Sequence, residues 1–209
     1  MSEFRDNFNR ADGALGANWT KLFNAFASPT IVSNGAQPAD DTHAAIAFWN
    51  TTESFNKNQY SEAQLQAFGT ATDGVSFGVI IRAPNDQETC YIFIARPTGS
   101  ALTSGIFKRL FGIDTQLASE AATTWVVGDT LRAEGIGTNL RLYRNGASLL
   151  TVVDSALTGG QPGIYVSPGD VGPASVAVID SWIAADFVLI DYSPFPKPPI
   201  AEAAARGEM

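Results

Sequence analysis

One cysteine, Cys90, and one histidine, His43, are all that the 209 residues contain of either type. A lone cysteine excludes an internal disulfide, and a lone histidine excludes a His-based metal site or a His relay of any redundancy. Charge is sparse too: Asp, Glu, Lys and Arg make up 16% of the chain, well under the usual ~25%. Lys and Arg number 13 against 21 Asp and Glu, a net charge of −8. That balance opposes a sequence-independent grip on nucleic acid, which needs clustered positive charge. No apolar run approaches the length of a membrane-spanning helix, so no membrane partner is expected. Met1-Ser2-Glu3-Phe4-Arg5-Asp6 lacks the basic stretch and apolar core of a secretory leader, so the expectation is a chain without an export signal.

Helical periodicity is nearly absent, and in its place short apolar or alternating runs are broken by Gly, Asn, Asp and Pro. The spacing predicts about thirteen antiparallel strands between Phe4 and Ile183, which suits an all-β, two-sheet jelly-roll sandwich. Asn145-Gly146, between Leu140-Arg141-Leu142-Tyr143 and Leu149-Leu150-Thr151-Val152, predicts a tight hairpin, because both central residues must take positive φ. Alternation assigns Leu131, Ala133, Leu140 and Leu142 inward, with Arg132, Glu134, Arg141 and Tyr143 outward. It likewise turns Ser61, Ala63, Leu65 and Ala67 inward and Tyr60, Glu62, Gln64 and Gln66 outward. On the run before it, Ala44, Ile46 and Phe48 are expected in the core, with His43 and Trp49 on the opposite face. After Asp191 the prolines 194, 196, 198 and 199 fix φ and remove donors, predicting an extended arm. The chain therefore divides into a sandwich over residues 1–190 and a Pro/Ala-rich C-terminal arm over 191–209.

The opening Asp6-Asn7-Phe8-Asn9-Arg10-Ala11-Asp12-Gly13-Ala14-Leu15-Gly16-Ala17-Asn18-Trp19-Thr20 resembles the entry motif of laminin-G/concanavalin-A-like jelly-roll domains, as found in minor tail and other virion proteins of tailed bacteriophages. Val127-Gly128-Asp129-Thr130-Leu131-Arg132 and Asp154-Ser155-Ala156-Leu157-Thr158-Gly159-Gly160-Gln161-Pro162-Gly163-Ile164 are similar to the back half of the same family. The resemblance spans roughly Phe4 to Asp186 and implies fold more than function, since such domains include glycan binders, adhesion modules, virion parts and some hydrolases.

Sugar-cleaving members of this fold carry closely spaced acids on one strand, because acid and nucleophile must stand about 5 Å apart. Here Glu62, Glu88, Glu120 and Glu134 are isolated and Asp40-Asp41 are adjacent, so no catalytic set is expected. Gly74-Val75-Ser76-Phe77-Gly78 matches the pattern of a nucleophile elbow, but its serine begins a strand and the only histidine precedes it. His43 reads as a solvated strand-start residue with no carboxylate placed to orient it, and Cys90 as a buried small hydrophobe. Asp6, Asp12 and Asp180 are the nearest thing to a calcium site, yet no Asp-x-Asp-x-Asp-Gly loop exists, so no metal and no cofactor is expected.

What remains is surface recognition. Trp49, Tyr60, Tyr143 and Tyr165 fall outward by parity, near Gln64, Gln66, Arg132, Glu134 and Arg141. Sugar rings stack on aromatic faces while amide and guanidinium groups bond their hydroxyls, so Trp49, Gln64, Arg141 and Tyr143 form a candidate ligand-binding set. Interfaces concentrate the same residue types. Tyr192, Phe195 and Ile200 would anchor the arm in a partner. The sequence therefore leads to the expectation of a non-catalytic structural protein of a tailed-phage virion, a minor tail protein or a capsid-surface decoration, assembled with other virion subunits after synthesis in the host cytoplasm, with host-surface glycans as a further contact. The alternative is a carbohydrate-binding module recognising a polysaccharide.

Overall fold

The computed structural model describes residues 3–22, 27–40, 42–50, 55–68, 74–84, 88–97, 102–120, 124–168 and 176–187. The expected anchors Tyr192, Phe195 and Ile200 lie outside these residues, as does the whole arm. Among the described residues there are sixteen strands: β1 (Glu3–Asp6), β2 (Gly13–Ala14), β3 (Trp19–Lys21), β4 (Thr30–Val32), β5 (Gly35–Gln37), β6 (Ala45–Trp49), β7 (Gln59–Phe68), β8 (Ser76–Ala83), β9 (Cys90–Ala95), β10 (Ser104–Leu110), β11 (Ile113–Glu120), β12 (Thr130–Ile136), β13 (Asn139–Arg144), β14 (Ala147–Val153), β15 (Gln161–Ser167) and β16 (Ala177–Asp186). Each strand expected from the sequence has its counterpart; β2, β3 and β5, two or three residues each, are too short to show an alternation.

The strands form two antiparallel sheets. One has the order β14-β13-β12-β7-β16-β5-β4-β2, with β1 added on β16; the other runs β11-β10-β9-β8-β15-β6-β3. This is the all-β, two-sheet jelly roll that the pattern of short alternating runs predicted. The meander holds its register: Leu131, Ala133, Leu140 and Leu142 are fully buried between the sheets. Asn145 (φ 48°) and Gly146 (φ 80°) make the two-residue turn between β13 and β14. The Asn145 side chain donates to Asp129 at 2.7 Å, and its oxygen accepts the Thr130 amide at 2.8 Å, tying the hairpin to the start of β12.

Trp49 corrects the sequence reading. It is only 8% exposed and packs between the sheets, with ring centroids 5.2 Å from both Trp19 and Trp182 and 6.0 Å from Phe4. Ala45 and Ala47 share that inner face, whereas Ile46 and Phe48, expected there, occupy the other face of the sheet. Parity separated the two faces of β6 correctly, but all five residues are buried, so no polar row marks which face is outside.

A buried cation closes one end of the sandwich. Arg82, fully buried at φ 56°, sits where β8 and β15 slip out of register opposite Pro162. Proline has no amide to give the ladder, and the bulge aims the arginine inward. Its guanidinium donates to the carbonyls of Lys57 (3.1 and 2.6 Å), Leu157 (2.9 Å) and Gly137 (2.8 Å), while its amide donates to the Gln59 side chain at 3.2 Å.

Candidate functional site

The outer face of the nine-stranded sheet collects the polar rows. Alternation on β7 turns Tyr60, Glu62 and Gln64 outward, and the register sets each beside outward residues of neighbouring strands. Arg5 of β1, Ile183 of β16, Glu62 of β7, Arg132 of β12 and Tyr143 of β13 form one row; Ser181, Gln64 and Thr130 form the next. A cleft of about 470 Å³ opens where β1 runs into its following loop, lined by Arg5, Asp6, Asn7, Glu62, Gln64, Thr130 and Ser181 among others.

Glu62 is the chemically distinct group in this cleft. Burial pushes its carboxyl above the ordinary range, and the nearby Arg132 charge only partly offsets that. Arg132 itself lies over the Tyr60 ring, 4.0 Å from its centroid, and pairs with Glu134 at 2.8 Å. Its Nε is buried without a hydrogen-bond partner. Phe187 packs 5.5 Å from Tyr60, and the Tyr60 hydroxyl bonds Glu3 at 3.4 Å. Burial, followed by the charge of Glu3, raises the Tyr60 pKa. The result is a cation and aromatic stack standing beside a desolvated carboxyl.

Asp6, the other carboxylate of the cleft, is already committed. It accepts Arg10 at 2.7 and 2.9 Å, the Trp19 indole at 2.7 Å and the Phe8 amide at 2.9 Å. Burial alone would raise its pKa, but these bonds together hold it below the usual carboxylate value. Asp12 accepts the Ser33 amide, and among the described residues no three His, Cys, Asp or Glu side chains converge as metal ligands do.

Of the residues singled out in the sequence, Gln64, Arg141 and Tyr143 share this face. Gln64 lines the cleft and donates to the Gly128 carbonyl at 3.0 Å; Arg141 and Tyr143 stand on β13, beyond β12. Gln66 leans on the turn between β4 and β5, donating to the Ser33 carbonyl at 3.5 Å. Trp49 is in the core, and Tyr165 packs on the outer face of the other sheet, so the four outward aromatics expected from parity do not form one platform. Parity cannot tell one sheet from the other. Arg5 and Asn7 were missed, and Asp6 was considered only as a calcium ligand, because only the pairing of β1 with β16 brings them here. Ser181 was legible, since the inward Trp182 turns its neighbours outward.

The other catalytic candidates resolve structurally. The Ser76 hydroxyl donates to the Gly74 carbonyl at 3.2 Å within the strand start. His43 does have an orienting carboxylate, contrary to expectation: Asp40 stands 3.2 Å from its Nδ1 and also accepts the Thr42 and His43 amides. Those bonds, the Thr42 amide first, bring Asp40 down to about 2, and the group is an exposed local turn. Cys90 is fully buried, as expected, and burial raises its thiol pKa.

No protein-family model matches the chain, and no curated protein matches it. Solved structures do. The carbohydrate-binding module CBM66 from Bacillus subtilis is 17% identical, with a TM-score of 0.59 over 80% of this chain and 94% of that one. The carbohydrate recognition domain of Emp47p is 12% identical, with a TM-score of 0.61 over 89% and 95%. A xylan beta-1,4-xylosidase from Bacillus halodurans C-125 is 11% identical, with a TM-score of 0.57 over 87% of this chain and 39% of that one. The fold is thus that of concanavalin A-like lectins and carbohydrate-binding modules, shared with glycosidases. Nothing in these likenesses points to a tailed-phage origin, and the virion part of the sequence resemblance stands without support.

Proposed function

We propose that the protein is a carbohydrate-binding module whose ligand site is the cleft on the outer face of the nine-stranded sheet. The observation that carries this reading is the convergence of the Glu62 carboxyl, the Gln64 amide and the Thr130 and Ser181 hydroxyls in one cleft. Beside them stands the Arg132–Tyr60 stack. Sugars offer donor and acceptor hydroxyls, and the carboxyl, amide and hydroxyl groups of the cleft meet that demand. The lectin and carbohydrate-binding folds named above support it.

The reading is of binding without turnover. Glycoside cleavage takes two carboxyl groups, one held protonated and one ionised and free to attack or to activate water. Glu62 has the raised pKa of an acid, but Asp6 is bonded to two side chains and an amide, leaving it unsuited as a nucleophile or base. A glycan array with the full chain, followed by calorimetric titration of the bound sugar, tests the proposal. Ser181→Trp, which fills the cleft, should weaken that sugar at least about tenfold with an unchanged unfolding midpoint. Absence of any saccharide binding, or binding indifferent to Ser181→Trp, would overturn the assignment.

A further inference from the structure

Two of the charged residues lining the cleft are already paired: Arg5 meets Glu3 at 2.6 Å and Asp6 meets Arg10 at 2.7 Å. Glu62 also lines it, and among the described residues it makes no hydrogen bond and no ion pair. It is half-buried on β7, beside Arg132 of β12 and Ile183 of β16. Arg132 is itself paired with Glu134 at 2.8 Å, and its charge offsets the burial of Glu62 only in part. The bulge in β16 sets a further carboxylate, Asp180, next to the cleft residue Ser181. The cleft therefore holds a negative charge that its own cations do not neutralise.

The neutral groups along β7 and β12 are turned to accept. Gln64 donates its amide nitrogen to the Gly128 carbonyl at 3.0 Å, which leaves its side-chain oxygen for the cleft. The Thr130 hydroxyl donates to the Asn145 side-chain oxygen at 3.3 Å, so its own oxygen is left as an acceptor. Gln64 is paired with Thr130 on one side and Ser181 on the other, and this row stands about 7 Å from Glu62 along the strand. Donors lie opposite, on the β1 side. There the Asn7 side-chain oxygen accepts the Asn9 amide at 3.1 Å, which leaves the Asn7 amide nitrogen to donate.

We infer that the saccharide taken by this cleft carries a free amine, whose ammonium pairs with the Glu62 carboxylate. This charge preference rests on the carbohydrate-binding reading of the cleft and specifies its ligand. Any ligand that enters strips water from Glu62, whose ionised form burial already disfavours. A sugar hydroxyl returns one hydrogen bond, whereas an ammonium returns the opposite charge and a bond about twice as strong. With three donors and no acceptor, an ammonium also suits a wall that accepts, while the ring hydroxyls are left for Asn7.

Other charged ligands fit less well. A uronic acid would set a second anion against Glu62. A calcium ion takes about six to eight oxygens, and among the described residues no three His, Cys, Asp or Glu side chains converge to supply them.

The test uses oligosaccharides of equal length and linkage built from glucose, galactose or mannose, each with hydroxyl, acetamide or free amine at carbon 2, titrated into the full chain. The amine form of at least one backbone should bind at least about tenfold more tightly than its two neutral counterparts. Glu62→Gln should bring the amine form to about parity with them. Glu120→Gln, which removes the same charge from β11 of the other sheet, should leave the preference intact. Spermidine, an amine without a sugar ring, should compete at least about tenfold more weakly than the amino sugar. Saccharides that bind without preference for the amine overturn this inference and leave the carbohydrate-binding reading standing, whereas a chain that binds no saccharide in any form overturns both. A preference that survives Glu62→Gln, one that falls equally in Glu120→Gln, or spermidine competing as well as the amino sugar also overturns the inference.

Discussion

Replacing Arg82 by Met removes four side-chain hydrogen bonds to three carbonyls while keeping a stem of similar length. Lys57, Gly137 and Leu157 belong to three separate connections, so this one guanidinium ties together the segment before β7, the turn between β12 and β13 and the segment before β15. Each carbonyl left unpaired costs about 1–3 kcal/mol. Relief from burying a cation without a carboxylate returns part of that sum, so the net loss should be about 3–5 kcal/mol. The shape of the site agrees: a Cβ on Gly135 would stand 2.8 Å from the Arg82 Nη2, so the backbone of β12 is fitted around the guanidinium. With a urea m value of about 2 kcal/mol/M, the unfolding midpoint should fall by about 2 M. Arg82→Lys is the control that separates geometry from charge, because one ammonium cannot reach carbonyls on three connections and should recover little of the loss. Urea titration followed by tryptophan fluorescence decides. A loss under about 1 kcal/mol for Arg82→Met, or full rescue by lysine, would refute the clamp.

The sequence reveals those parts of the fold in which one side of a strand meets water. On β7, β12 and β13 the buried and solvated residues alternate, so parity placed Ala63, Leu65, Leu131, Ala133, Leu140 and Leu142 correctly, and with them the outward row of Glu62, Gln64 and Arg132. On β6, β8 and β9 every residue is buried and the alternation carries no sign. Trp49 was misplaced for that reason, and the second apolar face went unseen until the sheets were assembled. The cleft fell between these cases. Its β7 wall was readable, but the wall from Arg5 to Asn7 depends on β1 pairing with β16, at the other end of the chain, a contact that no local pattern encodes. The inward turn of Arg82 is not legible in the sequence, because a bulge against Pro162 leaves no periodic trace.

Gly146→Val forces a β-branched residue to φ 80° in the hairpin turn and should destabilise by about 1–3 kcal/mol in chemical denaturation; a change within error would show that the turn does not need its geometry. Trp49→Ala should cost about 3–5 kcal/mol by thermal unfolding, because it opens the Trp19–Trp182 cluster; normal stability with lost sugar binding would return Trp49 to the surface. Glu62→Gln separates binding from folding through pH. The folded carboxyl is raised above its ordinary value of 4.5 by burial, so its favourable contribution to stability is fully present below that value and is lost as pH rises through the folded pKa. At neutral pH ionised Glu62 therefore opposes folding, and the neutral amide removes that opposition. Asp6, Asp129 and Asp154, held below their ordinary value by hydrogen bonds that outweigh burial, act the other way and lose their contribution as pH falls, equally in both proteins. The melting temperature of Glu62→Gln should thus equal or exceed that of the parent at pH 7, with the difference vanishing well below pH 4.5, while its sugar affinity falls because an anionic acceptor has left the cleft. A variant less stable at pH 7 would contradict the desolvation account, and unchanged affinity would remove Glu62 from the ligand site.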